Sequence, residues 1–174
     1  MKNVPLKYAT LGVLLIICQI LLSEYVNIWP VLYIAIFPQF IILLPPLLNR
    51  SLHMLIAFAL GMMVDIFADG VPGLNAAALV AMAYCRPFIL KLVLSRGVIE
   101  SSDNLPLLPR SVEPQKLAAL NALMLTIFFT VYVLLDSAAS FTFWYTLLKI
   151  AVCIVVNTVI SLICSSALFE KYLR

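Results

Sequence analysis

Charge is what this sequence has least of. Asp, Glu, Lys and Arg make up 11 % of its 174 residues, against roughly a quarter in an ordinary soluble domain. Histidine is reduced to a single residue, His53, and the four cysteines (Cys18, Cys85, Cys153, Cys164) show no CxxC spacing. That spacing excludes the usual redox and zinc motifs, says nothing about compartment, and leaves the cysteines as small packing residues. The chain holds no Ser/His/Asp grouping, no glycine-rich phosphate loop and no acid and base at useful spacing. No enzyme, metal site or cofactor is therefore expected. A net charge of +3 is too small a surplus to signal nucleic-acid binding; at most it attracts anionic membrane lipid.

Apolar residues are what the sequence has instead: 64 % of the chain, with a mean hydropathy of +1.12. A hydrocarbon core about 30 Å thick needs roughly 17 to 25 mainly apolar residues per spanning helix. The runs are continuous, without the alternation of a membrane barrel, so an all-α integral membrane protein is predicted. The spans fall at about 8–22, 28–44, 52–68, 74–94, 117–135 and 141–168. Together they form a single polytopic domain of six transmembrane helices, with a long loop at 95–116. The first run has a basic flank in Lys2 and Lys7 but no small-x-small site near Leu22, so it is read as a retained helix and not a signal peptide.

Orientation follows from the basic residues. Lys2, Lys7, Arg50, Arg86, Lys91, Arg96, Arg110, Lys116, Lys171 and Arg174 all lie on or toward the side of the termini. Glu24, Asp69 and Asp136 lie on the other, and Lys149 is the one exception. The positive-inside rule then makes both termini cytoplasmic. Trp29, Trp144, Tyr25 and Tyr145 gather at the opposite interface, as an aromatic belt would. The 95–116 loop carries Pro106, Pro109 and Pro114 among acidic residues and is either a linker or a docking surface for a cytoplasmic partner.

The informative residues are those that interrupt the apolar runs. Pro38 and Pro87 each remove a backbone donor and leave a carbonyl, of Ile34 and Ala83, without its helical partner. Such groups need protein partners in a bilayer. Two rows at four-residue spacing, His53-Ala57-Gly61-Asp65-Asp69 and Lys149-Cys153-Asn157-Ser161-Ser165, are expected to be helix–helix seams, with Ala77, Ala81 and Cys85 as a matching small row. A polar cavity for a small ligand is the alternative. Asp65 inside a span costs about 2.5–3.5 kcal/mol unless it faces protein. With a turn at 69–73, Asn75 and the free amides of the fourth helix come within its reach, so Asp65 is predicted to cap that helix. Asp65→Asn is then expected largely to preserve folding, and Asp65→Leu is not. Arg86 can snorkel toward the cytoplasm; if Pro87 ends the spanning part of its helix, residues 88–94 become an interfacial helix and Arg86 marks the boundary, and His53 is expected to be interfacial.

The stretch from Phe58 through Gly61, Asp65, Ile66, Asp69, Gly70, Gly73, Leu74, Asn75, Ala76 and Ala78 to Ala83, Tyr84, Arg86, Pro87 and Phe88 resembles the rod shape-determining protein MreD family. The F-x-x-G-x-x-x-D-[IL] run, the Gly-Leu-x-Ala-x-Ala that follows and the Ala-Tyr pair match its signature, and Arg86-Pro87-Phe88 is similar to the Bacteroidetes-type branch. The resemblance implies a non-enzymatic subunit of the bacterial inner membrane that binds MreC. Its wider partners would be MreB, a SEDS glycosyltransferase and a penicillin-binding protein in the cell-elongation machinery for peptidoglycan synthesis. It implies that Phe58, Gly61, Asp65, Asp69, Gly73, Asn75, Ala78, Tyr84 and Arg86 serve partner binding or helix packing. The family is also regarded as similar in fold to the S components of energy-coupling-factor transporters, which makes a vitamin-binding S component the alternative. S components carry Ala-xxx-Ala on their first helix, and here Ala9 is followed by Val13.

Overall fold

A computed structural model describes residues 4–25, 31–45, 48–95, 97, 113–137 and 142–165. All secondary structure among them is helical: α1 (Val4–Tyr25), a short α2 (Pro38–Leu43), α3 (Arg50–Val64) continued by a π-helical turn (Asp65–Asp69), α4 (Leu74–Val93), α5 (Pro114–Asp136) and α6 (Phe143–Cys164). Five of these are long and apolar enough to cross a membrane, at Tyr8–Tyr25, Arg50–Asp69, Leu74–Val93, Pro114–Asp136 and Phe143–Cys164. The chain therefore has the multi-pass character of an integral membrane protein. Helix α3 packs on α4, α4 on α5 and α5 on α6, while α1 lies against α3 and its π turn. Leu79, Met82, Met124, Phe128 and Phe129 fill the centre with no exposed surface. Val13, Leu55, Phe67, Leu148 and Val155 face outward, where lipid is the solvent that accepts them.

The second predicted span is not a continuous helix. Residues 31–36 are non-helical, and α2 begins only at Pro38. Val31, Tyr33, Ile34, Ile36 and Phe37 are β-branched or aromatic, types that favour extended chain, and a hydropathy profile does not distinguish that chain from helix. Pro38 takes the first turn of α2, where its missing N–H costs nothing. Leu44, which precedes Pro45, closes α2 with ψ 148°, the extended conformation that a following proline imposes.

Segment 31–45 nonetheless runs the length of the bundle. The Tyr33 hydroxyl bonds Asp69 at one end of the α3–α4 hairpin, and the carbonyls of Ile42, Leu44 and Pro45 meet Arg86 near the other. Irregular backbone at such depth is tolerated only when protein surrounds it. Residues 37–45 are all buried, as are Tyr33 and Ala35.

At Gly61 the α3–α4 contact is too close for any side chain. A Cβ there would lie 2.4 Å from the Ala76 Cα and 2.6 Å from its N, so the fit is backbone against backbone. Gly61→Ala adds about 1 kcal/mol of helix propensity, but overpacking against an unyielding neighbour costs about 1–3 kcal/mol or more. The Ala76 amide displaced by the clash is also one that bonds Asp65. Gly61→Ala is therefore expected to lower the melting temperature of the detergent-solubilised protein; a melt at or above that of the unaltered chain would contradict this packing.

Candidate functional site

Helix α4 starts at Gly73, which sits at φ 100° and has no side chain with which to cap its own helix. Asp65 supplies the cap from the preceding helix. Its Oδ2 accepts from the amides of Gly73 (2.9 Å) and Ala76 (3.1 Å), and its Oδ1 from the Asn75 amide (2.8 Å) and Asn75 Nδ2 (3.0 Å). The carboxylate has no exposed surface. Its charge is met by four donors and by the positive end of the α4 dipole, the surroundings in which a buried anion is stable. The π turn ends at Gly70 (φ 70°), whose amide reaches back five residues to the Asp65 carbonyl at 2.8 Å. Asn75 Nδ2 also bonds Asp69, and the Tyr33 hydroxyl donates to Asp69 Oδ2 at 3.0 Å. Tyr33 in turn stacks on Tyr132, ring centroids 4.6 Å apart. Asp65, Asp69, Gly73 and Asn75 thus form one knot, tied through Tyr33 to the non-helical segment.

A second polar assembly braces that segment from both sides. On α6, Asn157 Oδ1 accepts from the Ala35 amide and Nδ2 donates to the Tyr33 carbonyl, both at 2.8 Å. Cys153 Sγ accepts from the Tyr33 amide at 3.4 Å. On α1, Gln19 Oε1 accepts from the Ile36 amide at 2.9 Å and Nε2 donates to the Ile34 carbonyl at 3.0 Å. Odd residues bond one helix and even residues the other, the alternation of an extended strand with side-chain amides standing in for neighbouring strands. The Ile34 carbonyl, deprived of a helical partner by Pro38, is satisfied by Gln19. Further along α6, Ser161 bonds Gln39 and, at 2.8 Å, Asn121, and Gln39 Nε2 donates to Ser165. The α6 row is thus a seam to segment 31–45 and to α5. Lys149, the lone basic residue on the acidic side, pairs with Asp136 at 2.6 Å.

Arg86 does not snorkel. It is 2 % exposed, and α4 continues through Pro87 to Val93 without an interfacial break. Nη1 donates to the Pro45 carbonyl (3.4 Å) and lies 2.9 Å from His53 Nε2. Nη2 donates to the carbonyls of Ile42 (3.3 Å) and Leu44. Those carbonyls end α2, where a cation is favoured by the dipole and satisfies acceptors the helix leaves over. His53 is buried as well. With Arg86 donating to Nε2, the imidazole is neutral and its Nδ1–H faces the Asn49 carbonyl at 3.3 Å.

The remaining residues that carry the resemblance are dispersed. Ala78 is fully buried in the core, whereas Phe58 and Tyr84 are about half exposed. Both line an open apolar groove between α3 and α4 of about 540 Å³, together with Gly73, Ala77 and Ala81. The small row Ala77-Ala81-Cys85 faces this groove, beside the Gly61 seam and not within it. Arg86 stands eleven residues down α4 from Asn75, about 16 Å at 1.5 Å per residue, and belongs to a different site. Tyr33, Gln19, Gln39 and Asn121 were not among the expected site residues. A lone amide in an apolar span, which Gln19 and Asn121 both are, is the signal that finds them. The docking reading belongs to the long loop 95–116, of which residues 96 and 98–112 lie outside the described residues. The chain matches no family model, no curated protein and no solved structure.

Proposed function

We propose that this chain is a non-enzymatic platform of the bacterial inner membrane, an MreD-like subunit that binds MreC and helps to organise peptidoglycan synthesis during cell elongation. The observation that supports this reading is the α3–α4 hairpin. The residues carrying the resemblance are the ones that interlock there: Gly61 against Ala76, and Asp65 against Gly73, Asn75 and Ala76. Their polar atoms are mostly committed to the fold, which suits a rigid scaffold better than a reaction centre. In this reading, segment 31–45 makes a sixth crossing, which returns both termini to the cytoplasm.

The S-component alternative would place a vitamin-sized ligand beside the irregular backbone, where transporters bind substrate. Here that backbone is bonded by Gln19, Cys153 and Asn157, and the cavity lined by Ala35, Gln39, Leu125 and Ser161 is about 10 Å³, barely room for one water. Deleting the gene in a rod-shaped host is expected to give rounded cells, and MreC is expected to co-purify with the tagged protein. Normal shape with a new vitamin requirement, or co-purification with an ATP-driven coupling module, would reject the proposal in favour of transport.

A further inference from the structure

We propose that the α3–α4 face binds an anionic phospholipid, with its phosphate between Arg50 and Arg86 and one acyl chain in the apolar groove above them. A cleft of about 180 Å³ is lined by Leu48, Arg50, His53, Ala83, Arg86 and Pro87. It contains two guanidinium groups, and the ion pairs formed among the described residues, Lys116–Glu113 and Lys149–Asp136, involve neither of them. The carbonyls around Arg86 contribute dipoles but no formal charge. Four of its five N–H donors are engaged, and Nε is buried without a partner. Arg86 thus gives the cleft a fixed positive charge that no carboxylate among the described residues neutralises, and the donors that reach a phosphate oxygen are those of the exposed Arg50.

The groove makes the ligand a lipid. Arg50 stands at its junction with the cleft: its guanidinium lies 3.8 Å over the Tyr84 ring, and Nη2 donates to the Tyr84 carbonyl at 3.1 Å. Tyr84 and Cys85 line the near end of the groove and Gly73 its far end. That length of α4 is about 17 Å at 1.5 Å per residue, comparable with one leaflet of a hydrocarbon core about 30 Å thick. A soluble anion would leave this apolar channel unused. A zwitterionic lipid would fill it but bring a third cation to the two arginines. The inference requires only that these helices cross a bilayer and is independent of the cell-elongation reading.

Native mass spectrometry of the full chain in detergent, titrated with phosphatidylglycerol or phosphatidylcholine of identical acyl chains, tests this. Phosphatidylglycerol is expected to bind about tenfold more tightly. Arg50→Gln should remove most of that preference, and Ala77→Phe, which fills the groove from an exposed position, should weaken both lipids about tenfold. Millimolar inorganic phosphate should not displace the lipid. Equal binding of the two lipids, or unchanged binding in either variant with melting temperature preserved, overturns the proposal. Displacement by inorganic phosphate overturns it too, since the cleft would then be an anion pocket in which the groove has no part.

Discussion

Asp65→Leu is expected to yield no folded protein, and Asp65→Asn a folded but distinctly less stable one. The leucine leaves three backbone amides and one N–H of Asn75 Nδ2, whose other bond goes to Asp69, without their acceptor in a site buried at Asp65, Asn75 and Ala76 and part-buried at Gly73. Each stranded donor costs about 1–3 kcal/mol, and four together approach the whole stability of a typical domain, about 5–15 kcal/mol. The asparagine is expected to preserve the fold, but at a cost. Both carboxylate oxygens are acceptors, and an amide has only one. Asn at 65 keeps the pair of bonds to Asn75 but turns an NH2 toward the Gly73 and Ala76 amides, donor against donor. Size-exclusion profiles and thermal melts of the three proteins in one detergent measure the order: native above Asp65→Asn, with Asp65→Leu aggregated or absent. Equal melting of the two variants would show that Asp65 does not cap α4.

The Asp65 knot is legible in the sequence because it is local. Its partners lie eight to eleven residues away, across a turn that two glycines announce, so helix geometry alone brings the amides into reach. The brace around residues 31–36 is not legible, because its partners are distant: 17 residues from Ile36 to Gln19 and 122 from Ala35 to Asn157. No spacing rule connects those positions. Hydropathy misleads there, since an apolar run long enough for a helix has the same composition when extended. The prolines at 30 and 38 and the β-branched residues between them carried the contrary signal. Arg86 fails for a related reason. Its carbonyl partners are available only because α2 ends at Leu43, and that ending depends on Pro45, whose effect on the carbonyls before it no hydropathy pattern displays.

Asn157→Leu is expected to have the second largest effect, and its size depends on what the amide bonds to. Side-chain hydrogen bonds between membrane helices average about 0.6 kcal/mol, because either partner finds another when they separate. Asn157 is different: it bonds a backbone amide and a backbone carbonyl of a segment with no helical partner for either. Stranding those two groups costs about 1–3 kcal/mol each, comparable with cavity-forming core substitutions. Gln19→Leu strands the Ile36 amide and removes the Gln19 bond to the Ile34 carbonyl on the opposite edge, and is expected to cost about 1–3 kcal/mol. The two braces hold one segment, so once either is lost the segment shifts and the other brace loses its geometry. The double variant should therefore cost less than the sum of the singles, with a coupling of about 0.5–3 kcal/mol. Hydrogen exchange localises the effect: the amides of Ala35 and Ile36 should lose protection together in either single variant, while those within α4 keep theirs. Additive losses, or loss of protection at only the directly bonded residue, would mean that α1 and α6 hold the segment independently. A coupled result makes segment 31–36 the element through which α1, α6 and the Tyr33–Asp69 contact of the α3–α4 hairpin are fixed relative to one another.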